Sequence, residues 1–328
     1  MPRCRYLPLL PLALAACSGD QSVLRPRSPE ADAIETLSMV LFTGGAVIFV
    51  AVMGLVLYAL FADPDRTRRL TGDHLVLWGG LVFPAVTLAI LLVYSISVSN
   101  AVTRPPAQDA LRVEVIGHMW WWEVRYLDES GELEFVTANE IRAPVGRPVE
   151  VALTTADVIH SFWVPNLHGK MDLIPGHVNR IVFTPREAGV MRGQCAEFCG
   201  DQHAWMAFHF VAHEPAEFEE WLELQRRPAP EPPTPMLAAG REAFVAYGCG
   251  ACHRVRGLEG ADGDLGPDLT HVGSRPSIAA GRLDNTVGAF GGWIVSAQHL
   301  KPDNFMPSFE HLDGPTLRAL AAWLESLE

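Results

Sequence analysis

The chain has 328 residues, with 25 Lys and Arg against 38 Asp and Glu, for a formal net charge of −13. That length suffices for two modest domains with further segments. The acidic balance argues against nucleic acid as a partner; it peaks between residues 110 and 223, with 18 acidic and 8 basic side chains, which suits either a basic protein partner drawn in by long-range attraction or simply a well-solvated surface.

Residues 1–16 carry Arg3 and Arg5 followed by a short apolar stretch, the pattern of a secretory signal. Leu14-Ala15-Ala16-Cys17 resembles a bacterial lipobox, which makes Cys17 a candidate lipidated N-terminus; the alternative is an ordinary signal with an incidental cysteine. Of the six cysteines, Cys4 falls in the leader, Cys17 follows it, and the other four form two close pairs, so none remains for a disulfide framework.

Leu37–Phe61 and Leu75–Ser99 are each 25 residues without a charge. At ~1.5 Å per residue such a helix is roughly 37 Å long, enough to cross a ~30 Å hydrocarbon core with some tilt. Pro84 predicts a kink in the second. Arg66, Arg68 and Arg69 lie between the runs, but Arg25, Arg27 and Arg104 flank them outside, so positive charge alone orients the hairpin weakly. The export signal turns both ends outward. A transmembrane hairpin is expected within residues 17–104, with everything after it on the outer, periplasmic face of a bacterial plasma membrane.

From Leu111 the pattern changes to alternation. Val113 and Val115, then Trp122, Val124 and Tyr126, read as strands, with Asp128-Glu-Ser-Gly131 as a turn between strands. Val149–Thr154, Arg180–Thr184 and Ala207–Val211 continue the series, implying an antiparallel sandwich or barrel over residues 105–224. A short helix is expected over Phe218–Leu224.

Just before the last strand stands Cys195-Ala-Glu197-Phe-Cys199-Gly-Asp-Gln-His203-Ala-Trp-Met206, with His160 upstream in His160-Ser-Phe-Trp. Soft sulfur with imidazole selects copper over hard cations. A structural Cys₂His₂ zinc site is the alternative; Met206, the Cys-x₃-Cys spacing and the aromatic flank Phe198, Trp205 and Phe208 count against it. Two thiolates can bridge two coppers, which spreads one electron over both metals. One histidine and one weak outer ligand per copper would complete the pair, with Met206 for one and the backbone carbonyl of Glu197 for the other.

Arg227–Pro235 holds five prolines in nine residues, a stiff spacer of about 3 Å per residue that marks a boundary at residues 225–236. Residues 237–328 begin with a helical pattern leading into Cys249-Gly-Ala-Cys252-His253, the covalent haem-attachment pattern. Cys249 and Cys252 would anchor the haem and His253 would bind its iron. Met306 is the favoured sixth ligand, in a loop before a final helix over Pro315–Leu327 that places Leu317, Leu320, Ala321 and Leu324 on one face; His271, His299 and His311 are the rivals. A Met/His pair would raise the iron potential.

Residues from about 30 to 215 resemble cytochrome c oxidase subunit II: the family pattern C-x-E-x-C-x₃-H-x₂-M matches Cys195, Glu197, Cys199, His203 and Met206, and His160 stands in the family's His-Ser-Phe context. The C-terminal part resembles class I cytochromes c, and the fusion resembles subunit II of caa₃-type oxidases. The resemblance implies a multidomain fold: a two-helix transmembrane hairpin, a cupredoxin-like antiparallel β-barrel and an all-α cytochrome c domain. It implies a dinuclear copper A centre bridged by Cys195 and Cys199, with terminal His160 and His203, a weak Met206, and Glu197 binding copper through its carbonyl and a magnesium through its carboxylate. It makes Trp120, in Trp120-Trp121-Trp122, the candidate at which electrons come in; barrel packing is the other reading. It implies oxidase subunit I and subunit III as partners, cytochrome c or a quinol–cytochrome c reductase as donor, and oxygen reduction with proton pumping in subunit I. The family often carries a carboxylate at the start of its second helix; only Asp73 is near that place, which puts a proton channel through this subunit in doubt. Two other functions fit parts of the pattern: the copper A subunit of a nitric oxide reductase, and a membrane-anchored copper-delivery factor, against which the haem-attachment pattern weighs.

Overall fold

The computed structural model describes residues 19, 21–63 and 72–328. The expected leader, Cys4, Cys17 and the arginines at 66, 68 and 69 lie outside the described residues. The chain forms two compact units, Glu30–Pro105 and a larger one comprising Met1–Pro29 with Pro106–Glu328.

The smaller unit is two long apolar helices. Helix α1, Pro29–Phe61, begins ahead of the uncharged run because Glu30 and Asp32 occupy its first turn, where the positive end of the helix dipole favours carboxylates. Helix α2, Asp73–Val102, takes a π register over Val76–Val82, with the Phe83 N–H reaching the Trp78 carbonyl. Pro84 has no N–H and its ring crowds the carbonyl four residues back. A widened turn just ahead of it absorbs that conflict, so the expected kink takes this form. Both helices turn apolar side chains outward, among them Phe49, Val50, Leu88 and Ile90.

The larger unit opens with a ten-strand sandwich. One sheet runs β3-β2-β1-β5-β8 (Leu133–Ala138, Trp121–Leu127, Leu111–His118, Val149–Thr155, Asn179–Phe183). The other runs β4-β10-β9-β6-β7 (Glu140–Pro144, Ala207–His213, Gly189–Cys195, His160–Trp163, Met171–Leu173). Alternate side chains face inward as the pattern predicts: Val113, Val115, Trp122, Val124, Tyr126, Val151, Leu153, Phe183 and Phe210 are all buried. The pairing is not wholly antiparallel, since β1 lies parallel to β5 and β10 parallel to β4. Alternation dictates which face a residue takes but not which strand lies beside it. Helix α3, Pro215–Arg226, closes the barrel with Phe218, Trp221 and Leu222 buried.

In the C-terminal part, helices α4 (Pro235–Ala246), α5 (Val287–Leu300) and α6 (Gly314–Glu325) are N-capped by the side chains of Thr234, Thr286 and Asp313, each accepting a backbone N–H that the first turn leaves without a partner. They enclose Phe244, Phe290, Ile294, Leu320, Trp323 and Leu324. Gly240 lets α4 press onto α6, because a Cβ there would stand 2.2 Å from the Ala319 carbonyl oxygen. A two-strand ribbon, β11 (Ser277–Ile278) with β12 (Leu283–Asp284), projects between them in sequence.

The proline-rich segment is not a free tether. The Ala229 N–H donates to the Arg256 carbonyl at 2.9 Å, His271 Nε2 lies 3.0 Å from the Arg227 carbonyl, and the Arg256 guanidinium donates to the Gln225 carbonyl. The barrel and the helical domain thus form one body.

Candidate metal centre and haem site

Strand β6 delivers His160 at its first residue, strand β9 ends on Cys195, and the loop to β10 carries Glu197, Cys199, His203 and Met206. The structure gathers all six at one end of the barrel. Cys195 Sγ stands 3.7 Å from Cys199 Sγ and 3.8 Å from His160 Nδ1. Cys199 Sγ stands 3.6 Å from His203 Nδ1 and 3.8 Å from Met206 Sδ. The Glu197 carbonyl oxygen lies 3.1 Å from Cys195 Sγ. Each sulfur therefore has one imidazole nitrogen and one weaker donor beside it. Cys195, Cys199, His160 and Met206 are buried.

The electrostatics suit a cation. The hydrogen bond from Cys199 holds the Cys195 thiol well below its ordinary value, while the neighbouring sulfur and burial drive Cys199 up. Metal would displace the proton that Cys199 keeps. His160 Nε2 donates to Asp157 at 2.8 Å, which leaves Nδ1 facing the sulfur; orienting the free nitrogen this way is what a second partner does for a metal-binding histidine. Burial works to raise the Asp157 carboxyl, but hydrogen bonds from His160, the Met119 N–H and the Val158 N–H outweigh it and hold it below its ordinary value. The Glu197 carboxylate is exposed and pairs with Lys170 at 3.3 Å.

The second constellation begins on a tight turn, Cys249–Ala251, entered through Gly248 at φ +73°. Cys249 packs against the domain core, while Cys252 is exposed and both thiols are free. His253 Nδ1 donates to the Pro267 carbonyl at 2.8 Å, so Nε2 is the nitrogen left for a ligand. Burial pushes this imidazole below its ordinary value, favouring the neutral, ligating form. The backbone pressed around it has no spare room. A Cβ on Gly266 would stand 2.6 Å from the His253 ring, and one on Gly250 would stand 2.0 Å from the Gly260 carbonyl oxygen. Arg275 is buried beside this imidazole; its guanidinium donates to the Asp268 carbonyl and its Nε is unpartnered. These residues fit a covalently held haem. Met306 packs against the same core. Of its rivals, His271 has both ring nitrogens against backbone oxygens, those of Glu328 and Arg227, His311 lies tilted against Tyr247 and Phe309, and His299 is exposed.

A family model described as cytochrome c oxidase subunit II, periplasmic domain, matches residues 111–212, and one described as cytochrome c matches residues 237–328. Cytochrome c oxidase subunit 2 of Alkalihalophilus pseudofirmus is 33% identical over 344 residues, covering 99% of this chain and 97% of that protein. The chain belongs to the cytochrome c oxidase subunit 2 family. The subunit 2 of Bacillus subtilis is 28% identical, covering 98% of this chain and 96% of its own. The crystal structure of the periplasmic domain of subunit II of cytochrome oxidase from Bradyrhizobium japonicum is 31% identical over 37% of this chain and 97% of that one, with a TM-score of 0.35. The chain is thus a cytochrome c oxidase subunit with a fused cytochrome c domain, in keeping with the caa₃ type and with a role in electron input. Its two domains imply copper A and haem c, it works with other oxidase subunits, and its two long apolar helices point to a membrane anchor.

Trp120 of this subunit is buried, not open to solvent. Its Nε1 donates to the Cys199 carbonyl at 2.8 Å, its ring lies near-parallel to Phe305 with centroids 6.3 Å apart, and its carbonyl accepts from Lys301 Nζ at 2.9 Å. Burial pushes the Lys301 ammonium down to about 7, against the pull of Cys199. Lys301, Phe305 and Asp157 escape sequence reading. Asp157 had a usable signal, lying three residues before His160, whereas Lys301 is 181 residues from Trp120.

Proposed function

We propose that this chain is the electron-input subunit of a bacterial haem–copper terminal oxidase. On this reading Cys195 and Cys199 bridge two coppers, His160 and His203 end the pair, Met206 and the Glu197 carbonyl are its weak ligands, and the Glu197 carboxylate is available to magnesium. Cys249 and Cys252 hold one haem c through thioethers, with His253 and Met306 as axial ligands. Electrons received from cytochrome c or a quinol–cytochrome c reductase would pass from haem c to copper A and on to subunit I, where oxygen is reduced to water with proton pumping. Subunit III completes the assembly.

The observation that carries this reading is the gathering of two thiols, two imidazole nitrogens, a thioether and a carbonyl within 3.1–3.8 Å steps. A zinc site needs four of these groups; the two left over are the weak donors an evenly shared copper pair uses.

We assign residues 1–16 to a lipoprotein signal, 17–104 to the segment bearing the hairpin, 105–224 to the copper domain, 225–236 to the linker and 237–328 to the haem domain. Chain connectivity supports the outward reading of both hairpin ends, because α1 follows directly on residues 21–28, which are hydrogen-bonded to the barrel, and α2 leads into β1.

Metal analysis of the purified protein is expected to give two coppers and one covalent haem per chain. His203→Ala should disturb the near-infrared copper band and leave the haem spectrum intact. A natively matured protein holding one zinc at Cys195 and Cys199 would overturn the reading.

A further inference from the structure

Two loops of the haem domain straddle the metal-binding end of the barrel. On one side the β11–β12 ribbon docks beside Met206: the Ala280 carbonyl accepts the Ala207 N–H at 3.0 Å, and Ser277 Oγ meets His209 Nδ1 at 3.1 Å. On the other, residues 301–306 cover Trp120. The Gln202 amide donates to the Pro302 carbonyl at 2.5 Å, and Phe305 faces the indole. At the centre of this second contact Lys301 is only 3% exposed, and its Nζ reaches the Trp120 carbonyl.

We propose that Lys301 is a positioning residue for electron transfer between the domains, holding the haem domain in one register over Trp120. This rests on the copper and haem reading above.

Packing alone does not account for a lysine here. A buried ammonium is expensive to desolvate, and a methionine of similar length would bury at lower cost. What the lysine adds is a point donor aimed at one carbonyl, which fixes register as buried polar groups do in other assemblies. That register is transmitted to the haem side by a rigid loop. The Asn304 amide donates to the Lys301 carbonyl at 2.6 Å and to the Ala297 carbonyl at 3.0 Å, and its Oδ1 accepts the Met306 N–H at 2.8 Å. Lys301, Phe305 and Met306 therefore shift together or not at all. On the barrel side Trp120 Nε1 is already bonded to the carbonyl of Cys199. Only one electron crosses, leaving the haem domain oxidised and the metal pair reduced by one; no bond or proton need move.

The test uses the complete assembled oxidase. An electron is injected photochemically into the haem domain by a small ruthenium complex, and its arrival at copper is followed in the near infrared. Lys301→Met should slow that step about tenfold or more, the scale on which small misplacements act, while melting temperature and both absorption spectra hold. Lys301→Arg, which keeps a donor, should restore much of the rate. Phe305→Leu alters a side chain that is 75% exposed and outside the domain core, and should also slow transfer; it decides the matter if Lys301→Met fails to retain copper. Wild-type transfer in Lys301→Met with copper retained, or in Phe305→Leu, would overturn the proposal. Absence of the copper band in the unaltered protein would instead sink the functional reading on which it rests.

Discussion

His160 owes its position to an absence. Gly117, the last residue but one of β1, faces the imidazole, and a Cβ there would stand 2.7 Å from His160 Cδ2, 3.1 Å from its Cγ and 3.3 Å from a Leu173 methyl. The ring cannot retreat freely, because Nε2 is tied to Asp157 and Trp122 lies on another side with centroids 6.1 Å apart. Gly117→Ala should therefore push the imidazole off its line to Cys195. The expected result is a shifted near-infrared copper band and faster copper loss to a chelator, with the haem spectrum unchanged; an identical band would show that the ring tolerates the methyl. The six proposed ligands were legible because five of them fall in one twelve-residue run whose chemistry reads without a fold. Asp157 had only its place three residues before His160 to mark it, and Gly117 had nothing. The role of Gly117 comes from strand β1 passing close to β6, and nothing local in sequence announces which strands will meet.

At the level of strands and helices, alternation made the inward faces readable, yet the surface pairs that pin β1 to β2 were not. His118 and Trp121 face each other across that pair, stacked at 4.3 Å, and His118 Nε2 lies 2.9 Å from Glu123. Burial tends to raise the Glu123 carboxyl, but hydrogen bonds from His118 and Arg125 prevail and hold it below its ordinary 4.5. A carboxyl depressed in the folded state stabilises it above the unfolded value, and that contribution fades as pH falls through the folded one. Glu123→Gln should thus lower stability by about 1–2 kcal/mol at neutral pH, the scale of a charge-assisted hydrogen bond. The deficit should narrow below pH 4.5. Thermal melts of both proteins across pH 3–7 are the check (a range set by the acid window), and a deficit constant with pH would assign the loss to packing. The parallel partnership of β1 with β5 and of β10 with β4 lay beyond reading for a related reason: such pairs are joined by long crossovers with no turn signature. The π stretch before Pro84 was half legible, since proline announces a fault in the ladder but not how the helix absorbs it.

Over the whole molecule, sequence separated segments that the folded chain fastens together. The proline-rich run reads as a spacer, but its carbonyls and amides are taken up by the haem domain. The short stretch ahead of α1 reads as nothing in particular, but it lies against the barrel as a strap. Buried Asn166 donates its amide to the carbonyls of Ser22 and Arg25 at 3.0 and 2.9 Å, its own carbonyl accepts the Arg27 N–H at 2.7 Å, and Ser28 Oγ donates to the Leu167 carbonyl at 2.5 Å. These bonds fasten residues 22–28 to the barrel. Asn166→Ala removes two donors at once and leaves two carbonyls to find water, a loss of about 1–3 kcal/mol from the strap. Asn166 lies in the loop between β6 and β7 and belongs to no strand, so the strap should loosen while the barrel stays folded. Trypsin should then cut after Arg27 well before it cuts the unaltered protein there, because local opening governs cleavage when it is fast and reversible. The copper and haem spectra should persist through that cut. If the Arg27 bond resists equally in both proteins, the strap is held by contacts other than Asn166, with Ser28 and the Arg186 N–H bond to the Arg27 carbonyl next in line.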